Sequence, residues 1–199
     1  MFPLGTALLP GMPLPLRLFE PRYLTMLDDV LRRDPADFGV VLIERGSEVG
    51  GGDARFDVGC LAELQQVDAR DGGITVVAIG TQRLRVERWG EDDPYPQADV
   101  SVVDELEWSE DHRELLDRTE EVVRSVLAQA AEFVEPRWPS TIELDDDPIT
   151  RCWQLGGIAL LGTLDQVDLL RATSVPQLLG TITEHTRSAL EVVQISAAE

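Results

Sequence analysis

The spacing of apolar residues divides this chain into two parts with different periods. From Phe2 to about residue 106, apolar residues stand in short blocks or alternate with polar ones, and Gly, Pro and Asp punctuate the runs, which is the pattern of β-strands. From residue 107 onward they recur at intervals of three and four, as on amphipathic helices. The pattern predicts an α+β chain with a β-rich part over 1–106 and a helical part over 107–199, joined without a long linker.

Within the first part, Phe2 to Tyr23 (FPLGTALLPGMPLPLRLFEPRY) carries five prolines in an otherwise mostly apolar run. Proline cannot donate to a ladder, so these pieces read as edge strands with a turn at Pro10-Gly11. Pro21 to Arg33 reads as a helix with Tyr23, Met26, Leu27, Val30 and Leu31 on one face. Phe38 to Ile43 is a buried strand, Gly46 to Arg55 a loop, and Asp57 to Ala69 a strand with a bulge near Gly59. Asp71-Gly72-Gly73 predicts a hairpin into Ile74 to Ile79. Beyond a bend at Gly80, Leu84, Val86 and Trp89 alternate with Arg83, Arg85 and Arg88, a half-buried strand with a basic outer face. Ala98 to Leu106 is a last strand that buries one of its two valine-bearing faces.

In the second part, Ser109 caps a helix that runs to about Glu135, where Pro136 and Pro139 stop it. Asp147 followed by Pro148 opens another. Thr163 with Gln166 and Ser174 with Gln177 have capping-box spacing and open two more.

Charge narrows the function classes. The chain has 37 acidic residues against 17 basic ones, a net charge of −20, and every basic residue is arginine. Without lysine, these residues hold no P-loop lysine, Ser–Lys dyad or Schiff-base lysine. The overall field repels a phosphate backbone, so no nucleic acid is expected as a partner. No apolar run is long enough to span a bilayer, so no membrane partner is expected. Cys60 and Cys152 read as reduced core residues of a cytoplasmic protein, with a disulfide as the alternative.

Candidate chemistry is sparse. His112 and His185 sit among polar neighbours on helices, and two histidines with two scattered cysteines give no zinc spacing. The Asp145–Asp147 run reads as a solvated helix start rather than a cation site, and no serine nucleophile elbow occurs. Nothing in the sequence calls for a cofactor or a metal. The constellation that stands out is Phe19, Glu20, Arg22 and Tyr23. It reads structurally as a pinned strand–helix junction with Phe19 and Tyr23 packed beneath, and functionally as a contact surface.

Those residues carry a resemblance. The opening stretch is similar to the start of the Lon protease N-terminal, or LON substrate-binding, domain, through Pro3, Leu4, Pro10, Gly11, Pro15, Leu16 and Phe19 to Tyr23. Phe38 to Val41, Val58 to Ala62, Gly80 with Arg83, Arg85 and Val86, and Pro94-Tyr95 with Ala98 and Val100 continue it in order. The resemblance implies a PUA-like β-barrel with one inserted helix, followed by a C-terminal helical bundle. It also implies a stand-alone domain, without the ATPase and peptidase that follow in full Lon proteases.

Three readings of function are weighed on this basis. The first is a non-enzymatic module that binds exposed apolar segments of client proteins, or a protease or chaperone partner. Phe19, Glu20, Arg22, Tyr23, Met26, Arg83, Arg85 and Tyr95 are its candidate peptide contacts. The second is an RNA-binding PUA-like module, and the third a small hydrolase. Exposed strand edges are also compatible with a homodimer.

Overall fold

The computed structural model describes residues 1–45, 54–70 and 73–197. The chain forms two compact units, Met1–Glu105 and Leu106–Glu199. Among the described residues, the first holds six strands and one helix: β1 (Phe2–Leu4), β2 (Pro13–Leu18), α1 (Pro21–Val30), β3 (Asp37–Arg45), β4 (Ala54–Arg70), β5 (Gly73–Trp89) and β6 (Ala98–Val102). The described residues of the second form a 3₁₀ turn at Glu110–His112 and four helices, α2 (Arg113–Ala130), α3 (Pro148–Ile158), α4 (Thr163–Leu170) and α5 (Val175–Ala197).

The strands form one sheet in the order β1-β3-β4-β5-β2, and β6 also pairs with β5. The long strand β5 is shared: Ile74 to Ile79 pair with β2, and Leu84 to Trp89 pair with β6. β1 is parallel to β3 and the other pairings are antiparallel. No ladder among the described residues joins β1 to β2 or β6, so the sheet does not close as a hydrogen-bonded barrel.

Local chemistry explains the edges. The prolines of β2 are tolerated because that strand pairs on one side only, while Leu14 and Leu18 point into the core. Between β1 and β2, Gly11 takes a φ of 73°, and its N–H donates to the Gly80 carbonyl at 2.8 Å. The Gly80 N–H returns to the Met12 carbonyl at 2.9 Å. A Cβ at Gly80 would lie 2.3 Å from the Leu9 carbonyl oxygen, so only glycine lets the turn lie on β5. α1 begins with extended Glu20 and proline at its first position and buries Tyr23, Met26, Leu27 and Val30. It ends at Val30, and Leu31 is 52% exposed rather than part of the apolar face.

Three expectations for β5 and β6 change. Cys60 stands opposite Arg83 but Ala62 opposite Gly80, so β5 carries one extra residue there. That bulge turns Arg83 inward, and it is buried rather than part of a basic outer face. β5 also runs unbroken past Gly80 to Trp89. β6 stops at Val102, and its valines stay open to solvent, Val100 at 37% and Val102 at 51% exposure. Residues 46–53 of the expected loop, and Asp71-Gly72 of the expected hairpin, lie outside the described residues; Ala54 and Arg55 already belong to β4.

In the helical unit, Leu116, Val123, Leu127, Trp153, Leu155, Leu169, Leu178, Leu179 and Ile182 are buried. Ser109 accepts from the Asp111 N–H and caps the 3₁₀ turn, but α2 ends at Ala130 rather than near Glu135. Phe133 and Val134 are exposed, so apolar spacing there gains no burial. Thr163 is the first residue of α4 and not its cap. Gly162 is the capping residue, and its N–H donates to the Asp165 carboxylate at 3.1 Å. Ser174 accepts from the Gln177 N–H at 3.3 Å as expected, while the Gln177 side chain accepts from Thr173 N–H.

Asp147 caps α3 by accepting from both the N–H and the hydroxyl of Thr150, each at 2.8 Å. These bonds hold its carboxyl below the ordinary carboxylate range. Asp147→Ala should cost about 1 kcal/mol in urea unfolding at neutral pH, and Asp147→Asn much less. A depressed folded pKa gives stability that is present above the ordinary value of 3.8 and is lost as pH falls through the folded value. The deficit of the alanine variant should therefore shrink in acid. Gly80→Ala should cost at least about 2 kcal/mol in the same assay, because both colliding groups are backbone.

Candidate functional site

The Phe19–Tyr23 stretch is a corner with one exposed ring. Arg22 Nε donates to Glu20 Oε2 at 3.0 Å, and its guanidinium lies 4.6 Å from the centre of the Tyr23 ring. Tyr23 is buried against Phe2, with ring centroids 4.1 Å apart. Phe19 is 63% exposed and does not pack beneath the corner as expected. Its position at the end of β2, just before the helix cap, turns it outward.

The two arginines on β5 serve different surroundings. Arg83 Nη2 donates to the Asp104 carbonyl at 2.6 Å. Burial lowers its pKa, against the opposing pull of Glu105. Beside it, burial pushes the Cys60 thiol up to about 12, so it is not a nucleophile at neutral pH. Cys152 is likewise pushed up to about 12 by burial, and both cysteines are free thiols. Arg85 is exposed.

Met26 and Tyr95 line a cavity of about 280 Å³. Met26, Val30, Phe38 and Leu61 give it apolar walls from α1, β3 and β4; Arg33 and Asp37 add one charge of each sign. Met1 and Gly39 also line it, together with Tyr95, Gln97, Ala98 and Val100 from β6 and the segment that leads into it. The cavity thus occupies the seam where the sheet fails to close. Tyr95 OH donates to Asp29 Oδ2 at 2.8 Å, which ties this segment to α1. Burial first, and then Asp29, raise the Tyr95 pKa above its ordinary value.

The eight residues singled out in the sequence therefore do not form one cluster. Phe19, Glu20, Arg22 and Tyr23 gather at the start of α1, Met26 and Tyr95 meet in the seam cavity, and Arg83 and Arg85 are lining residues of neither. The cavity residues missed in sequence include Val30, Arg33, Phe38 and Leu61, which read as ordinary core or surface positions. The available signal was β6, where neither valine face could be assigned to the interior. Among the described residues, no group of three or more His, Cys, Asp or Glu side chains is placed to hold a metal ion. No helix among them is long and apolar enough to cross a membrane.

The raised Tyr95 pKa has a testable sign. A phenol harder to ionise when folded contributes stability below its ordinary pKa of 10.0 and loses it as pH rises beyond that value. Tyr95→Phe should cost about 1 kcal/mol at neutral pH. It should also flatten the fall in stability seen at alkaline pH, as measured by thermal unfolding across a pH series.

The family model of the ATP-dependent protease La (LON) substrate-binding domain matches residues 1–188. A crystal structure of a Lon N-terminal domain protein from Xanthomonas campestris is similar, with TM-score 0.65 and 26% identity. The match covers 92% of this chain and 95% of that one. The N-terminal domain of Mycobacterium avium complex Lon protease has TM-score 0.64 at 19% identity, with 93% and 96% of the two chains covered; that likeness speaks for the fold.

Proposed function

The chain belongs to the LON substrate-binding domain family, and on that premise we propose that it is a non-catalytic module that holds exposed apolar segments of client proteins. The observation that carries this reading is the seam: a cavity of about 280 Å³, lined by apolar and polar residues together, beside a strand, β6, that pairs on one side only. An extended segment adds to the open edge through its backbone and lowers a side chain into the cavity. Met26 and Tyr95 belong to that contact, and exposed Phe19 offers a second one. Glu20, Arg22 and Tyr23 hold the corner that presents Phe19. Arg85 is free to meet a client at the surface, while Arg83 acts through the position of the strand.

The same reading takes the strand unit as PUA-like and the four C-terminal helices as a bundle. It places the protein in the cytoplasm, where it serves a separate protease or chaperone. Absence of lysine supports a role without a Ser–Lys peptidase in these residues. The acidic surface disfavours RNA as the occupant.

Titration of the protein with a dye-labelled, permanently unfolded polypeptide, read by anisotropy, tests the proposal. Saturable binding is expected. Val100→Asn, at a half-open position, should weaken it about fivefold with little change in thermal stability. Phe19→Ser should weaken it less. Absence of binding by the wild-type protein sinks the reading, and sensitivity to Phe19→Ser alone moves the site to the corner.

A further inference from the structure

The seam cavity is not isolated. A second cavity, of about 340 Å³, shares the wall made by Gln97 and Ala98. Its other lining residues are Arg88, Gly90, Glu91, Asp93 and Asp99. Arg88 donates to Asp99 at 2.6 Å, so those two charges offset each other. Asp92 next door is held by Arg55 through two bonds, at 3.0 and 2.6 Å. Glu91 and Asp93 remain: among the described residues, no cation is paired with either carboxylate. The start of β6 therefore adjoins two cavities, one with Met26, Val30, Phe38 and Leu61 in its lining and one with Glu91 and Asp93.

We infer that this double groove selects client segments in which an apolar side chain stands beside lysine or arginine. The inference rests on the peptide-binding reading above and names the class of segment the groove takes. A chain laid along the β6 edge directs successive side chains to opposite sides. The apolar side chain then enters the cavity walled by Met26, Val30, Phe38 and Leu61, while the basic one meets Glu91 and Asp93. The charge of the whole chain, −20, acts in the same direction by drawing basic segments in and turning acidic ones away. A second copy of this chain is a poorer occupant, since it carries the same net charge of −20.

The test uses three dye-labelled peptides of the form acetyl-Gly-Ser-Leu-Val-Phe-X-X-Ser-Gly-amide, with X as lysine, glutamine or glutamate. Each is titrated into the full chain and into the double variant Glu91→Gln, Asp93→Asn. At low ionic strength the lysine peptide should bind the wild type about tenfold more tightly than the glutamate peptide, with the preference falling as salt is added. The double variant should bring the lysine and glutamine peptides within about twofold of each other. Binding of the glutamine peptide without any preference for lysine overturns this inference and leaves the peptide-binding reading intact. A lysine preference undiminished in the double variant also overturns it, by assigning the preference to the general field. No binding by any of the three peptides overturns both readings. Sedimentation of the protein alone completes the test: self-association lost in Val100→Asn assigns the groove to a second copy and overturns the proposal.

Discussion

The strand unit hangs on a backbone contact at Gly80. The Pro10-Gly11 turn reaches β5 there through paired bonds of 2.8 and 2.9 Å, with no room for a side chain between them. Before Gly80, β5 is committed to β2; three residues after it, the bulge at Arg83 begins the stretch that pairs with β6. One long strand thereby serves two partners on the same side. Because the turn fixes where β2 begins, it also limits how far β6, which ends at Val102 opposite Leu84, can run along β5. The open outer edge of β6 follows from that division, and so does the cavity behind it.

Keeping this seam open has a physical cost that the surrounding residues offset. An unpaired strand edge with Val100 and Val102 at its surface invites association. The edge is short, five residues, and Asp99 and Ser101 alternate with the valines, which limits how firmly a second edge can pair with it. Tyr95 ties the approach to β6 onto Asp29 of α1, so the edge is open but anchored. The acidic cavity beside it adds a repulsive field against another copy of the same chain while leaving basic segments free to approach.

Much of this was legible in the sequence because the relevant signals were local. Period-two runs, the Pro21 helix start, the Asp147-Pro148 start and the buried cysteines all follow from a few adjacent residues. The LON resemblance rested on motifs in register along the whole chain, and the family match covers residues 1–188. The misreadings share a cause: each depended on pairing between distant segments. Arg83 looked like an outer-face residue because strict alternation was assumed, and the extra residue that turns it inward shows only in its register against Cys60 and Ala62. β6 was expected to bury one face, but what covers a strand is decided by the other elements around it. Sheet closure, expected from the resemblance, likewise depends on edges whose pairing no local pattern records. The eight candidate contacts fell at the corner, in the seam cavity and on β5 for the same reason.

The role of the Phe19–Tyr23 stretch follows from these long-range relations. Glu20 and Arg22 hold each other, and Tyr23 is locked against Phe2 of β1. Together with Pro21 at the first helical position, they set where α1 starts and which way its apolar face turns. One turn after Tyr23 that face presents Met26 and then Val30, and Arg33 follows just past the helix end; all three line the seam cavity. A helix is a rigid ruler at about 1.5 Å per residue, so fixing its first turn fixes those positions some 5 to 15 Å further along. Most of the signature thus shapes the groove without lining it. Phe19 is its aromatic member that reaches outward, which separates a contact residue from the structural residues beside it.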